Sequence, residues 1–145
     1  MKRFALVLGL LLVCLAACST SKERAEAVRL LDAVEAIRVD DTTDVRRPRV
    51  ATLKRLALTT SELGQLRDAC ARAHETLLSA EDAQVQAREL IAAATRDPSV
   101  LTAAHQNKIQ ATLDRSTRGV EASRTLFEAC NAPIEQLSRR IRGAH

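Results

Sequence analysis

Aromatic residues are nearly absent from this chain of 145 residues, which contains two Phe and no Trp or Tyr. Proteins that bind single-stranded nucleic acid stack the bases on aromatic side chains and track the backbone with a cationic groove. The net charge is only +4, and removal of Lys2 and Arg3 with an N-terminal signal would lower it to +2. The composition therefore argues against nucleic-acid binding and against a sugar site lined by aromatic rings.

Glycine and proline are also scarce, with four and three copies respectively. Ala, Leu, Arg, Glu and Gln, which favour helices, dominate the sequence after residue 18. No long stretch alternates apolar and polar residues, so the pattern does not predict a sheet. The sequence predicts an all-α protein.

The N-terminus carries a segment typical of secretory signals. Lys2 and Arg3 precede an uncharged stretch from Phe4 to Ala17. This stretch is too short for a membrane-spanning helix, which needs about 20 residues, and it fits the apolar region of a signal peptide.

The end of this segment, Leu15-Ala16-Ala17-Cys18, resembles the lipobox of bacterial lipoproteins. The resemblance implies that residues 1–17 are removed and that acylated Cys18 anchors the mature domain, residues 18–145, in a membrane of the cell envelope. An aspartate after the cysteine would favour the inner membrane, and Ser19 stands there instead. The resemblance thus implies the outer membrane, with the domain facing the periplasm. The alternative is an ordinary secretory signal that leaves Cys18 free.

Three helices account for the mature domain, separated by the turn signals "VDDTTDVRRP" and "TRDPSVLT". Their predicted ranges are about 21–38, 48–95 and 102–142. Thr20-x-x-Glu23 has the spacing of a capping box, and Pro48 suits the first turn of the second helix. A further capping-box match, Thr59-x-x-Glu62, leaves open a break near residue 59.

Apolar and small residues recur at heptad spacing along the second and third predicted helices. The second helix carries two such rows, Leu56, Leu63, Cys70, Leu77, Ile91 and Leu66, Ala73, Ala80, Ala87, Ala94. The third carries Ile109, Leu113, Ser116, Val120, Ser123, Phe127, Cys130, Ile134, Leu137 and Ile141.

These rows predict a three-helix up-down-up bundle that contains a long antiparallel hairpin. Gly119 marks a narrow waist, and Pro133 should kink the third helix. Because many core positions hold Ala or Ser, a disulfide, an envelope protein partner or a second copy of the chain could supply the missing stabilisation.

Cys70 and Cys130 are predicted to form a disulfide. In an antiparallel hairpin, facing residues have numbers whose sum is constant, and this pair requires a turn near residue 100, where the turn signal lies. The envelope is also an oxidising compartment, where paired cysteines persist as disulfides. Closure of a loop of about 60 residues would stabilise the fold by about 4 kcal/mol.

A metal site is the alternative use of these cysteines. Cys70 and His74 are spaced as two ligands on one helix. A thiolate site needs further ligands, however, and neither His105 nor His145 lies near in this register. We therefore interpret His74 as a surface residue, and we expect no metal, no cofactor and no catalytic site.

A group of cations is predicted to gather at one pole of the bundle, because the end of the third helix should lie beside the start of the second. Contact with an anionic surface such as lipid head groups would use them. The alternative is a solvated helix end, since cations at a helix C-terminus are favoured by the macrodipole. The group comprises Arg46, Arg47, Arg49, Lys54, Arg55, Arg139, Arg140 and Arg142.

Two short segments, Leu58–Glu62 and Leu101–His105, resemble the LTxxQ motif of small periplasmic helical chaperones, although Glu62 and His105 replace its glutamine. Each match is also explained as a helix start. The sequence leaves two functions open: a lipid-anchored interaction or structural protein of the envelope without enzyme activity, and a chaperone or stress-sensing adaptor of the LTxxQ type.

Overall fold

The computed structural model describes residues 21–143, which are almost entirely helical and contain no strand. Helix α1 covers residues 21–35, and the later elements are α2 (Thr43–Lys54), α3 (Ser61–Arg96), a short 3₁₀ turn (Pro98–Val100) and α4 (Ala103–Arg142). The all-α prediction is confirmed. The lipobox, Cys18, Thr20 and His145 lie outside the described residues.

Four helices replace the three that were predicted, because the segment 48–95 is divided. Helix α2 begins at Thr43 instead of Pro48, and residues 55–60 separate it from α3. Thr60 is in an extended conformation ahead of α3, and the preceding residue, Thr59, is hydrogen-bonded to Glu26 of α1. A contact with a distant helix thus fixes the break that the second capping-box match had left open.

Pro48 lies inside α2 rather than in its first turn. It therefore leaves the Asp44 carbonyl without its usual helical donor. Val50 and Leu53 of the same helix are almost fully buried. Tertiary packing thus stabilises a helix that local sequence preferences disfavour.

Helices α3 and α4 form the long antiparallel hairpin in the predicted register. Cys70 and Cys130 form the predicted disulfide, with their Cα atoms 4.8 Å apart. In the turn, Asp97 accepts hydrogen bonds from the backbone N–H and hydroxyl of Ser99, and Thr102 accepts one from the His105 N–H at the start of α4.

The narrow waist predicted at Gly119 is present. A Cβ atom added to Gly119 would lie 2.8 Å from the Cβ of Ala80, which is closer than such atoms normally approach. Ser123, one turn further along α4, is buried and donates its hydroxyl to the Val120 carbonyl. Helix α4 continues through Pro133 to Arg142.

The main core occupies only one half of the hairpin, where α1 and α2 pack against it. It reaches Leu78 on α3 and begins at Cys130 on α4. Its buried members are Ala27, Leu30, Leu31, Ile37, Val50, Leu53, Leu63, Cys70, Ala71, Leu78, Cys130 and Leu137. Beyond Leu78 the contact between α3 and α4 is made by small buried residues such as Ala80, Ala83 and Ala87.

Candidate functional site

The eight predicted cations do not all gather at one pole. Arg142 pairs with Glu35, next to the Ala36 carbonyl that Arg49 contacts, but other cations of α2 lie far from the end of α4. Arg46 and Arg47 of α2 contact Glu81 and Asp82 of α3, whereas Arg140 contacts Glu62 at the start of α3. At a rise of 1.5 Å per residue, Glu62 and Glu81 are about 28 Å apart along the helix. The cause is the early start of α2, whose N-terminal half lies against the middle of α3.

The cations of α2 are engaged by groups of the protein itself. Arg47 pairs with Asp82 at 2.9 Å, and Lys54 pairs with Glu75 at 2.7 Å. These two pairs cross a groove of about 530 Å³ between α2 and α3. Arg49 bonds to the Ala36 carbonyl and to Asp41, and Arg55 donates to the Ala51 carbonyl. This part of the predicted cationic group has few charges left for a ligand.

Arg46 is buried, with only 3% of its surface exposed. Its guanidinium donates to the Glu81 carboxylate and to the Asp41 carbonyl, while its Nη1 atom has no hydrogen-bond partner within the described residues. The hydroxyl of Thr43 donates to the same carboxylate at 3.2 Å. A buried cation of this kind holds α2 against α3 and is a structural group.

His74 is buried, contrary to the surface position predicted for it. Its exposed fraction is 4%, and its ring meets the edge of Phe127 with centroids 4.8 Å apart. Burial, together with the positive charge of Arg46, lowers the pKa of His74 from 6.5 to about 4. Its Nδ1 atom has no partner in the described part of the chain.

The structure gives no support to the metal alternative. Cys70 is bonded to Cys130, so its sulfur is not available as a thiolate ligand. Between residues 21 and 143, no three His, Cys, Asp or Glu side chains are grouped as a metal site would require.

Glu26 is a further buried charged residue that sequence reasoning did not identify. Its carboxylate accepts hydrogen bonds from the backbone N–H and the hydroxyl of Thr59, both at 2.8 Å. These hydrogen bonds hold the pKa of Glu26 below its usual value of 4.5. The spacing offered a signal, because Glu26 and Leu30 are one turn apart on the apolar face of α1.

A small cleft lies where α1, the start of α3 and the end of α4 meet, and we call it the pole cleft. Its volume is about 220 Å³. The lining consists of an apolar floor and a charged rim. The floor is Ala27, Leu63, Leu137 and Ile141, and the rim is Glu23, Arg24, Glu62 and Arg140.

The charges around the pole cleft include cations that carboxylates do not neutralise. Arg24 donates to the Ile141 carbonyl at 3.2 Å, so its charge is not cancelled by that contact. The side chain of Arg139 makes no hydrogen bond or ion pair with a described residue, whereas the charge of Lys22 acts on the Glu26 carboxylate. Arg140 lies 3.5 Å from Glu62, and both side chains are largely exposed. The cationic end predicted for α4 is therefore joined by Lys22 and Arg24 of α1, which the sequence reasoning did not include.

The two segments that resemble LTxxQ occupy helix starts. Thr60 precedes the first residue of α3, and Thr102 caps α4 through its hydroxyl. The Glu62 side chain faces Arg140. Helix initiation accounts for Thr102, whereas the Thr59 hydroxyl donates to Glu26 of α1 and the Thr60 hydroxyl makes no capping hydrogen bond.

No helix among residues 21–143 has the length and apolar character needed to span a membrane. Comparisons with known protein families, with curated proteins and with solved structures found no match.

Proposed function

We propose that this chain is a lipid-anchored helical interaction protein of the bacterial cell envelope, without enzyme activity. The observation that carries the proposal is the lipobox Leu15-Ala16-Ala17-Cys18, which would make Cys18 the first residue of the mature chain. Acylation of its thiol and of the new amine would add about 0.8 kcal/mol of membrane affinity per buried methylene. Ser19 favours the outer membrane over the inner one.

The buried disulfide supports an envelope location. Cys70 is fully buried and Cys130 is 1% exposed, so the bond lies in the core. Disulfides persist in oxidising compartments such as the periplasm and are rare in the cytosol. The Ala-rich core between α3 and α4 gives such a bond a clear role, because the apolar side chains there are small.

The far half of the hairpin supports an interaction role. Val85 and Ile91 of α3 and Leu113 of α4 are exposed by 52%, 45% and 37%. Leu101, beside the turn, is 45% exposed. The core cluster that includes α1 and α2 does not extend to these residues. A partner protein of the envelope or a second copy of the chain would bury them.

Intact mass spectrometry of the protein from a bacterial envelope tests the anchor. We expect loss of residues 1–17 and the added mass of acyl chains on Cys18. A Cys18→Ala variant is the control and should remain unacylated. An unacylated wild-type chain would overturn the proposed anchoring.

Crosslinking of the acylated protein in the envelope tests the interaction role. The variant Ile91→Gln/Leu113→Gln changes the far half of the hairpin, and Val28→Gln, on the opposite half, is a matched control. We expect the double variant alone to lose crosslinks to its partner or to a second copy. Equal crosslinking by all three proteins would contradict the role of this surface.

A further inference from the structure

The pole cleft lies next to the point where the chain leads back to Cys18. Glu23 on its rim is five residues after Cys18, and five residues span at most about 18 Å. If acylated Cys18 is embedded in a bilayer, the rim of the cleft is therefore close to the head groups. This step rests on the proposed lipid anchor.

The rim carries two carboxylates and two guanidinium groups, and the guanidinium groups of Arg24 and Arg140 are the ones that would contact an anionic surface. Arg24 is bonded only to a neutral carbonyl. Arg139, which is exposed and lies outside the lining of the cleft, makes no side-chain hydrogen bond or ion pair with a described residue. Arg140 is 65% exposed and shares a long contact with Glu62, so its guanidinium can turn toward a stronger acceptor. Guanidinium groups bind phosphate through paired hydrogen bonds.

The floor of the cleft distinguishes it from a purely charged patch. Leu137 and Leu63 are buried at its base, with Ile141 beside them partly exposed. An apolar floor below a rim that presents two guanidinium groups matches a phospholipid, whose phosphate lies next to acyl chains. The groove between α2 and α3 lacks this fit, because two ion pairs already cross it.

We propose that the pole cleft is a docking surface for an anionic phospholipid head group of the membrane that holds Cys18, with Arg24 and Arg140 contacting the phosphate. The lipid anchor would bring the protein to the membrane, and this surface would orient it. The far half of the hairpin would then point away from the bilayer, toward partners.

Vesicle binding of an unacylated chain tests this surface separately from the anchor. We would use residues 18–145 with Cys18→Ser, since the core and the disulfide lie within the described residues. The vesicles contain phosphatidylcholine alone or mixed with phosphatidylglycerol, and binding is measured by sedimentation at two salt concentrations. We expect binding to the mixed vesicles only, weakening as salt increases.

Two triple variants with equal charge locate the surface. Arg24→Gln/Arg139→Gln/Arg140→Gln alters the two arginines of the rim and the exposed Arg139 of the same helical turn. Arg88→Gln/Arg115→Gln/Arg118→Gln alters exposed arginines elsewhere on α3 and α4. Each arginine near an anionic surface adds about 1 kcal/mol, so each replacement at the cleft should lower the partition coefficient about fivefold. The control triple should bind nearly as the parent chain does.

The single variant Arg140→Gln guards against loss of the fold, because this side chain is 65% exposed and would lose only a 3.5 Å contact with Glu62. It should weaken binding about fivefold, whereas Arg118→Gln should not. Equal losses in the two triple variants, or equal binding to both kinds of vesicle, would overturn the proposal. Release from vesicles by inorganic phosphate at constant ionic strength would also overturn it, because the site would then bind a small anion.

The outcomes for the anchor and for the cleft are independent. Vesicle binding by the unacylated chain would support the docking surface even if mass spectrometry found Cys18 unmodified. An acylated Cys18 together with an unacylated chain that ignores mixed vesicles would support the anchor and refute the docking surface.

Discussion

When the pH falls from 7 to about 4.5, the protein should lose stability, and replacement of His74 by leucine should abolish most of that loss. The imidazole is 4% exposed, lies against Phe127 and has an unpartnered Nδ1 atom. Leucine has a similar volume and no polar atom to leave unpaired, so the cost at pH 7 should stay below about 1.5 kcal/mol.

The magnitude follows from the two pKa values of His74. The pKa is 6.5 in the unfolded chain and about 4 in the folded one, because burial and Arg46 oppose the charged form. As the pH falls below 6.5, His74 becomes protonated in the unfolded chain but stays neutral in the folded chain until about pH 4. The free energy of unfolding therefore decreases as the pH falls. The difference between these two pKa values corresponds to about 3 kcal/mol of unfolding free energy, of which about 2 kcal/mol is lost between pH 7 and pH 4.5.

Urea denaturation of the disulfide-bonded protein at these two pH values measures the effect. The free energy of unfolding should fall by about 2 kcal/mol less in His74→Leu than in the wild type. Thr112→Val, another buried polar residue but one that does not titrate, is the control and should keep the wild-type dependence. The reasoning is refuted if His74→Leu loses as much stability as the wild type over this interval.

Three further predictions concern the disulfide, the glycines of the hairpin and the buried glutamate. Cys70→Ser/Cys130→Ser should lower the free energy of unfolding by about 4 kcal/mol, measured against the oxidised wild type in urea, and a loss below about 1 kcal/mol would contradict the prediction. Gly64→Ala should stabilise α3 by up to about 1 kcal/mol, because nothing lies within 4 Å of the added Cβ. Gly119→Ala should instead lower the thermal midpoint, because its Cβ would overlap α3 at 2.8 Å, and a gain equal to that of Gly64→Ala would rule out the close approach. Glu26→Gln should weaken the fold near pH 7 and reduce the loss of stability below pH 4.5, since the lowered pKa contributes stability that is lost as the carboxylate is protonated; an unchanged acid denaturation curve would argue against it.

The hairpin and its disulfide were predictable because both depend on local periodicity. The heptad rows and the turn near Pro98 set the register of α3 and α4, and that register places Cys70 opposite Cys130. The division of the segment 48–95 into two helices was harder to predict from the sequence. Thr59 is hydrogen-bonded to Glu26 of α1, and local sequence preferences do not predict a hydrogen bond between residues so far apart in the chain.

The buried polar residues show the same limit. Glu26, Arg46 and His74 each lie one turn from a buried apolar residue on their own helix. This spacing indicates burial, whereas the polar character of the three side chains suggests exposure. Whether such a side chain turns inward depends on the partner that it finds there. Glu81 supplies that partner for Arg46, and the Thr59 amide and hydroxyl supply it for Glu26.

The sequence by itself determined that the protein is helical, that α3 and α4 pair in one register, and that Cys70 and Cys130 meet. These features follow from the spacing of side chains along each helix, which the sequence displays directly. Only the tertiary structure decided the course of α2 and the distance of Arg46 and Arg47 from the end of α4. Those depend on where one helix lies across another, and so on contacts between residues far apart in the chain. The packing of the helices places Arg24 and Arg140 on the rim of the same apolar cleft and buries Arg46 against Glu81.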